Sequence, residues 1–156
     1  MSTLNPTDRN ILLAVDNSEN SQKAVSYVAR LLGGIGGGFH ITLLHLIIEP
    51  DTDYFPSEQE RISWLKQHTT EVGALLEKYR SILEAHGIGS DQIRIHTPVR
   101  YCPSVSECIL AEKDILEYGT IVVGRKGLTP KEEILLGSVS SKLVKLAKNC
   151  AVWVVN

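Results

Sequence analysis

Short apolar runs alternate with segments of helical periodicity along the whole chain, and this alternation is the feature that most restricts the fold. The runs at Asn10–Val15, Phe39–Ile48, Thr120–Val123 and Ala151–Val155 have the apolar character of parallel strands covered on both faces, whereas Gln92–Thr97 alternates like a strand near an edge. Strict alternation of strand and helix predicts an α/β fold with an open parallel sheet, helices on both faces and right-handed crossovers.

Four amphipathic helices are expected between these strands. The first ends at Gly33 and Gly34, and the second runs from about Ser57 to His86. A third is expected over Ser104–Glu117 and a fourth after Ser138. The apolar positions of the first three helices are Ala24, Val25, Val28, Ala29 and Leu32, then Leu65, Val72, Leu76, Tyr79 and Leu83, then Val105, Cys108, Ile109, Ala111, Ile115 and Leu116.

Length and charge restrict the class of protein. At 156 residues the chain is expected to form one domain over residues 1–156, and its formal net charge of −2 gives no general attraction to nucleic acid or to an anionic membrane. No apolar run approaches the ~18 residues of a membrane span, and the N-terminus has neither region of a signal peptide. We therefore expect a cytoplasmic protein with no nucleic-acid partner and no membrane partner.

The chain has three cysteines, Cys102, Cys108 and Cys150, which are widely spaced. An odd number at this spacing favours reduced thiols in a cytosolic protein over a disulfide framework or a zinc site. The alternative is a redox role for Cys102 and Cys108, which lie near a single loop and helix start.

A glycine-punctuated loop joins the fourth predicted strand to the last helix. It begins with Gly124, Arg125, Lys126 and Gly127 and ends, nine residues later, with Gly137, Ser138, Val139 and Ser140. Glycine lets the backbone approach an anion closely, and the N–H groups and dipole of the following helix attract negative charge. The arrangement predicts a phosphate site; the alternative is a solvated loop before a capped helix.

Asp16 directly follows the first predicted strand. Ligands of open parallel sheets bind beyond the carboxyl ends of the strands, where the winding reverses. If the first and fourth strands are neighbours, Asp16 faces the glycine loop and its carboxylate can accept hydrogen bonds from ribose hydroxyls. The alternative is an N-cap or an Asx turn within Asp16–Ser18. The backbone near Leu46, at the end of the second strand, is a candidate for hydrogen bonds to an adenine edge.

No constellation of catalytic residues is evident. The five histidines are scattered over predicted strands and helices, and no Ser-His-Asp order, paired carboxylates or HExxH is present. The glycine cluster Gly33–Gly38 follows a helix and enters a strand, so it is interpreted as a flexible connection. Without a general base the sequence favours binding over turnover, with no catalytic residue and no metal held by the protein.

These residues together resemble the ATP-binding type of the universal stress protein family, which has a UspA-like domain. The resemblance rests on the spacing Gly124-x2-Gly127-x9-Gly137-Ser138 and on the stretches Ile134–Val139, Ile11–Asp16 and Leu43–Leu46, and it covers about Asn10 to Val155. It implies a Rossmann-like fold of the adenine nucleotide alpha hydrolase-like type, with an open five-stranded parallel sheet in the order 3-2-1-4-5.

The resemblance also implies ligand contacts. Asp16 matches the ribose-binding aspartate of the family, Ala14 and Val15 match positions beside the adenosine, and Leu46 matches a backbone contact to adenine. The positions that match contacts to ribose and phosphates are Val123, Gly124, Lys126, Gly127, Gly137, Ser138, Val139 and Ser140. Arg125 and Lys126 stand where the family often has a small polar residue and a histidine, so the attraction for anions is kept or strengthened. An expanded loop at Thr97–Ser104 is a second departure.

The last predicted strand carries an expectation about assembly. Trp153 lies among valines in a short terminal strand at a sheet edge, and a bare edge favours pairing with another chain. The resemblance likewise implies a homodimer that pairs Ala151–Val155 antiparallel. The alternative is that Trp153 packs on a helix of its own chain.

We therefore expect a dimeric cytoplasmic protein that binds ATP, or ADP or AMP, with or without Mg²⁺, and acts as a nucleotide-responsive stress regulator. The main alternative is a slow ATPase or a nucleotidyl-transfer enzyme on the same fold. A receiver-like module is disfavoured because Thr97-Pro98, rather than an aspartate, ends the third strand. The intact Gly124, Gly127 and Gly137 argue against an interaction protein with a vestigial pocket.

Overall fold

The computed structural model describes residues 9–125 and 138–156, without the side chains of Thr52 and Ser138. The strands in these ranges are β1 Asn10–Ala14, β2 His40–Leu44, β3 Ile47–Ile48, β4 Ile93–His96, β5 Val99–Arg100, β6 Thr120–Gly124 and β7 Ala151–Val155. The α-helices in these ranges are α1 Glu19–Leu32, α2 Glu58–Ala85, α3 Val105–Leu116 and α4 Ser138–Leu146. Short 3₁₀ turns occupy Thr52–Tyr54 and Ser90–Gln92.

Five of the strands form one parallel sheet in the order β4-β2-β1-β6-β7. Every pair of neighbours in this sheet is parallel, and β1 lies at the centre between β2 and β6. Counted in chain order, the five strands lie 3-2-1-4-5. The predicted class, an α/β fold with an open parallel sheet, is confirmed.

The prediction of one continuous second strand over Phe39–Ile48 is wrong. β2 ends at Leu44, and β3 pairs with β5 in a separate two-stranded parallel ribbon, so the predicted Thr97–Ser104 loop contains a short strand. The break follows from the length of the central strand. Because β1 ends at Ala14, the chain beyond Leu44 has a strand partner on one side only.

Serine caps begin the two helices that cover one face of the sheet. The Ser18 hydroxyl accepts a hydrogen bond from the Ser21 N–H at 3.1 Å, and the Ser57 hydroxyl accepts one from the Glu60 N–H at 3.2 Å. Each cap satisfies an N–H group that has no partner inside its helix. α1 and α2 therefore begin where the sequence predicts.

The core is divided by the sheet into two clusters. The cluster on the α1 and α2 side confirms the predicted apolar faces, with buried Ala24, Val25, Val28 and Ala29 in α1 and Val72, Leu76, Tyr79 and Leu83 in α2. The cluster on the α3 and α4 side includes Leu12, Ile109, Ile121, Val123 and Leu143. Leu12 and Leu13 enter opposite clusters, so β1 is buried on both faces, as its continuous apolar sequence predicts.

The predicted apolar face of α3 is wrong in part. Ile115 is 68% exposed, whereas Glu112 is only 2% exposed and Lys113 is also buried. The Glu112 carboxylate accepts hydrogen bonds from His96 Nε2 at 3.0 Å and from Arg100 Nε at 3.1 Å. Because a charge with such partners can be buried, hydrophobic spacing alone does not identify the inner side of this helix.

The prediction of reduced thiols is wrong for two of the three cysteines. Cys102 and Cys108 form a disulfide, and Cys150 is free. The two bonded residues are six positions apart, but the first turn of α3 folds this segment back and leaves their Cα atoms 6.1 Å apart. That separation is within the range that a disulfide requires, and it depends on where the helix begins rather than on the spacing of the cysteines.

A substitution at Gly33 tests whether the ends of α1 and α2 pack closely against each other. A Cβ atom at this position would collide with the carbonyl oxygens of Ala29 and His86. We expect Gly33→Ala to lower the free energy of unfolding by about 2 kcal/mol through overpacking. Chemical denaturation measures the change.

Gly73→Ala is the matched control, because a Cβ atom there meets no other atom within 4 Å. This substitution lies inside α2 and is expected to raise the free energy of unfolding by roughly 0.5–1 kcal/mol through helix propensity. Equal effects of the two substitutions would contradict the close approach at Gly33.

Candidate functional site

The carboxyl ends of β1 and β6 lie side by side at one edge of the sheet. Ala14 pairs with Val123 in the parallel register, so Asp16, two residues after β1, and Gly124, the last residue of β6, lie at the same edge. The expectation that these two strands are neighbours is confirmed. β2 lies on one side of this pair and β7 on the other, so the connections after β1 and β6 leave the sheet at the position where ligands of open α/β sheets bind.

The carboxylate of Asp16 is oriented by two hydrogen bonds from the start of α1. Its Oδ1 atom accepts from the Ser18 N–H at 3.0 Å and from the Ser21 hydroxyl at 2.8 Å. The Ser21 hydroxyl in turn accepts from the Asp16 N–H at 2.9 Å. The Asx-turn alternative is therefore correct for Oδ1, although Ser18 rather than Asp16 is the N-cap. These contacts hold a half-buried carboxylate in a fixed orientation at the end of β1.

Two side chains hold the carbonyl groups that follow β1. Nδ1 of His45 donates to the Val15 carbonyl, and the hydroxyl of Tyr79 donates to the Asp16 carbonyl, each at 2.7 Å. The two bonds fix the two consecutive peptide groups at which the chain leaves the sheet. Neither side chain is among the residues that the sequence predicts for the site. The sequence contains one signal for Tyr79. Its position on the apolar face of the second helix predicts burial, and a buried tyrosine hydroxyl requires a hydrogen-bond partner.

Tyr79 remains a neutral donor because of its surroundings. Its side chain is 1% exposed, and burial raises the pKa of its phenol, with a smaller contribution from the negative charge of Asp16. Both causes disfavour the phenolate. The hydroxyl proton that bonds the Asp16 carbonyl is therefore retained to a higher pH than in an exposed tyrosine.

The backbone of Leu46 faces the same edge. The N–H groups of His45 and Ile47 donate to carbonyls of the neighbouring β4–β5 segment at 3.1 and 3.0 Å, whereas the Leu44 carbonyl accepts from the Val15 N–H at 2.9 Å on the β1 side. Leu46 lies between β2 and β3, with both neighbours bonded to the β4–β5 side. Because backbone groups alternate in direction along an extended chain, we infer that the N–H and C=O of Leu46 point to the β1 side. β1 has ended there, so these groups face the space beyond it.

Gly124 is required by packing. A Cβ atom at this position would collide with the backbone of Asn20 in the first turn of α1. The next residue, Arg125, has an exposed side chain, and its N–H donates to the Val155 carbonyl at 2.8 Å. The glycine therefore lets β6 pass closely under α1, which is a structural reason for this residue in addition to any contact with a ligand.

The first turn of α4 is attached to α3. Val139 is half-buried and Ser140 is 7% exposed. The Val139 carbonyl accepts a hydrogen bond from the Ser106 hydroxyl at 3.3 Å. Since Ser106 is itself buried, this bond fixes the beginning of α4 against the first turn of α3.

The structure brings part of the predicted site together. Asp16, the backbone of Leu46 and the Gly124–Arg125 segment lie at one edge of the sheet, at the ends of three adjacent strands. The side chains of Val15 and Val123 belong to the two core clusters. Ala14, the last residue of β1, lies between β2 and β6. These three residues therefore form the apolar floor of the site and contribute no polar side chain to it.

The other part of the predicted site lies outside the described residues, namely Lys126, Gly127, Gly137 and the side chain of Ser138. Across residues 9–125 and 138–156, no group of three or more His, Cys, Asp or Glu side chains is arranged to hold a metal ion. None of the helices in the same ranges has both the length and the apolar character needed to cross a bilayer.

The fold is that of an open parallel α/β protein. The space beyond the ends of β1 and β6, which we call the crevice, lies where the winding reverses and where ligands of such sheets bind. The family model described as the Universal stress protein family matches residues 8–156. The chain therefore belongs to the universal stress protein family.

Solved structures share this fold. The hypothetical protein MJ0577 is 26% identical, with a TM-score of 0.75 over 96% of both chains. A universal stress protein in complex with cAMP is 18% identical, with a TM-score of 0.70 over 96% of this chain and 98% of that chain. The universal stress protein from Archaeoglobus fulgidus in complex with dAMP is 19% identical, with a TM-score of 0.63 over 96% and 99% of the two chains. No curated protein sequence matches this chain.

The hydrogen bond from Tyr79 to the end of β1 predicts a pH-dependent stability. Tyr79→Phe leaves the partly buried Asp16 carbonyl without this donor, so we expect the free energy of unfolding to fall by about 1–2 kcal/mol at pH 7. Because the pKa of Tyr79 is higher in the folded protein than in the unfolded chain, the contribution is complete below pH ~10 and is lost as the pH rises through the folded-state pKa. Urea denaturation between neutral and alkaline pH measures both effects.

Tyr27→Phe serves as the control, since Tyr27 is an exposed tyrosine of α1. Its effect is expected to stay within about 0.5 kcal/mol. A difference between wild type and Tyr79→Phe that does not shrink at alkaline pH would contradict the assigned role of the phenol.

Proposed function

We propose that this protein binds an adenine nucleotide, ATP or its di- or monophosphate, in the crevice beyond β1 and β6, and acts as a nucleotide-responsive stress regulator in the cytoplasm. The observation that carries the proposal is that the N–H groups of His45 and Ile47 bond the β4–β5 side. The alternation of the chain then leaves the Leu46 N–H and C=O to face the space beyond β1, where the oriented carboxylate of Asp16 also lies. A donor and an acceptor side by side are what the edge of adenine requires.

The proposed pose follows the order of groups along the sheet edge. Adenine lies over β1 and bonds the Leu46 backbone, with Ala14 and Val15 beneath the adenosine. The ribose hydroxyls donate to the Asp16 carboxylate, which suits a fixed anionic acceptor. The phosphates extend over Val123 and Gly124 towards the first turn of α4.

The phosphate end of the pose rests on charge and on the α4 N-terminus. Arg125 is exposed beside the crevice, and α4 begins at Ser138 with N–H groups that have no partner within the helix. Lys126, Gly127, Gly137, the Ser138 hydroxyl, Val139 and Ser140 complete the proposed set. A Mg²⁺ ion that accompanies a triphosphate would be held chiefly by phosphate oxygens.

Two universal stress proteins of the same fold support the ligand class, because one forms a complex with cAMP and another with dAMP. Both ligands contain adenine joined to a ribose or deoxyribose and a phosphate. The common part of these ligands corresponds to the adenine, ribose and first phosphate positions of the proposed pose.

Calorimetry with ATP tests the proposal. Wild-type protein is expected to bind, and Asp16→Ala is expected to weaken binding about tenfold or more, the cost of removing hydrogen bonds to a charged acceptor. Gly127→Val is expected to weaken binding by obstructing the phosphate approach.

Ser57→Ala is the control, because it removes the N-cap of α2 without touching the crevice. Its ATP affinity should equal that of wild type while its stability falls by about 1 kcal/mol. Wild-type protein without measurable affinity for ATP, ADP or AMP would refute the proposal. Mass spectrometry of nucleotide released from unheated protein identifies the phosphate number.

We also propose that the protein forms a homodimer through antiparallel pairing of β7. β7 is an edge strand of the sheet. Its Ala151 N–H and Val155 carbonyl bond the β6 side, so the backbone groups of Val152 and Val154 point outward, where they can pair with a second copy. Trp153 packs against the α1 and α2 cluster of its own chain, and the dimer therefore relies on the strand edge rather than on this side chain.

Sedimentation tests the dimer. Wild-type protein is expected to sediment as a dimer at micromolar concentration, and Val154→Pro is expected to shift it to monomer because an outward N–H is removed. Asn156→Pro, placed just beyond β7, is the control and should leave the dimer intact. A wild-type protein that remains monomeric would contradict this assembly.

A further inference from the structure

The Cys102–Cys108 disulfide closes a ring around the start of α3. Cys102 lies in the connection from β5, and Cys108 lies in the first turn of α3. Both residues are only partly buried, so small thiols and oxidants have access to the bond. The ring encloses Ser104, the N-cap position of α3, whose hydroxyl makes no capping hydrogen bond. In α1 and α2, by contrast, the corresponding serines do cap. The disulfide is thus a covalent link across the entry to α3, where a side-chain cap is absent.

The connection before the ring has an independent attachment. Glu112, one turn after Cys108 on α3, bonds His96 at 3.0 Å and Arg100 at 3.1 Å. Arg100 belongs to β5, which is paired with β3. Because these bonds do not involve sulfur, they do not depend on the disulfide. Only the segment 101–104 and the first turn of α3 lose a covalent restraint when the disulfide opens. The rest of the fold keeps its contacts, which is what a reversible change requires.

The first turn of α3 touches the first turn of α4. The Ser106 hydroxyl, inside the disulfide ring, donates to the Val139 carbonyl at 3.3 Å. Ser106 is 2% exposed, so the bond is shielded from solvent. A displacement of the α3 start therefore reaches the first turn of α4, towards which the phosphates extend in the proposed pose.

We propose that Cys102 and Cys108 are a reversible thiol–disulfide site whose oxidation holds the first turns of α3 and α4 in place and thereby strengthens nucleotide binding. The coupling to affinity rests on the proposed function, whereas the thiol chemistry does not. Reduction frees the α3 start, so the nucleotide must order it on binding and the affinity falls.

The chemical step is thiol–disulfide exchange. A thiolate of the glutathione class attacks one sulfur of the pair, the S–S bond breaks, and the other cysteine leaves as a thiolate that takes up a proton. A second small thiol then attacks the mixed disulfide and releases the first cysteine together with the oxidised small-molecule disulfide. The disulfide forms again by oxidation of the two thiols. Hydrogen peroxide accepts two electrons and two protons from them and becomes two molecules of water.

The experiment measures thiols, amide exchange and affinity in the same samples of the full chain. Wild-type protein is equilibrated in buffers of reduced and oxidised glutathione and then denatured. Its free thiols are alkylated, and mass spectrometry counts them. The expected masses show one alkylated cysteine, Cys150, in the oxidised form and three in the reduced form. Three alkylated cysteines in every buffer, or one in every buffer and in excess dithiothreitol, would overturn the proposal.

Amide hydrogen exchange in the absence of nucleotide measures the structural consequence of reducing the disulfide. Reduction is expected to speed the exchange of amides in residues 104–108 and 139–142, and unchanged rates would overturn the proposal. Calorimetry with ATP then compares the two states, and the reduced form is expected to bind about fivefold more weakly, at the lower end of the usual coupling between sites.

Variants separate the pair from the remaining thiol. Cys150→Ser should retain the whole response, whereas Cys102→Ser and Cys108→Ser should resemble the reduced protein in both buffers. An equal ATP affinity in the two states of wild type would overturn the coupling. If neither state binds any adenine nucleotide, the proposed function fails, and the thiol–disulfide site is still decided by the masses and the exchange rates.

Discussion

Two hydrogen bonds to backbone carbonyls fix the point at which the central strand ends, and the crevice is arranged around that point. A parallel strand that stops inside a sheet leaves carbonyl groups without strand partners, and buried carbonyls require donors. His45 supplies the donor for Val15, and Tyr79 supplies the donor for Asp16. One donor comes from the residue that follows β2 and the other from α2, so two separate elements hold the chain where it turns towards α1.

The position of this turn determines what the crevice presents. Since β1 ends two residues before Asp16, the β2 chain continues past it and leaves the Leu46 backbone groups on the open side. Hydrogen bonds from Ser18 and Ser21 hold the Asp16 carboxylate in one orientation. A fixed acceptor reduces the entropy lost when a ligand hydroxyl binds. The same elements that close the core thus prepare the proposed contacts to adenine and ribose.

Much of this fold could be predicted from the sequence. The continuous apolar runs at β1 and β6 identify central strands, because burial on both faces removes the polar alternation. The break of the second strand could not be predicted. Phe39–Ile48 is mostly apolar, with only His40, Thr42 and His45 as polar positions and no glycine or proline, and the break depends on where β1 ends. The inner side of α3 could not be predicted either, because Glu112 is buried with two hydrogen-bond partners that lie 12 and 16 positions away in the sequence.

The site was predictable to a similar extent. Asp16 and Gly124 follow apolar strands directly, so the edge at which they lie follows from the parallel topology. The roles of His45 and Tyr79 could not be predicted, because each donates to a carbonyl that lies 30 or 63 positions away. The disulfide was missed for a related reason: the distance between Cys102 and Cys108 is set by the first turn of α3, which spacing alone does not reveal.

The most direct measurement for the central claim is the amide resonance of Leu46 during titration with ATP. If adenine bonds the backbone beyond β1, the Leu46 N–H acquires a partner, its proton resonance moves downfield, and its exchange with solvent slows at saturation. Saturating nucleotide that shifts resonances elsewhere but leaves the Leu46 amide unchanged would contradict the account.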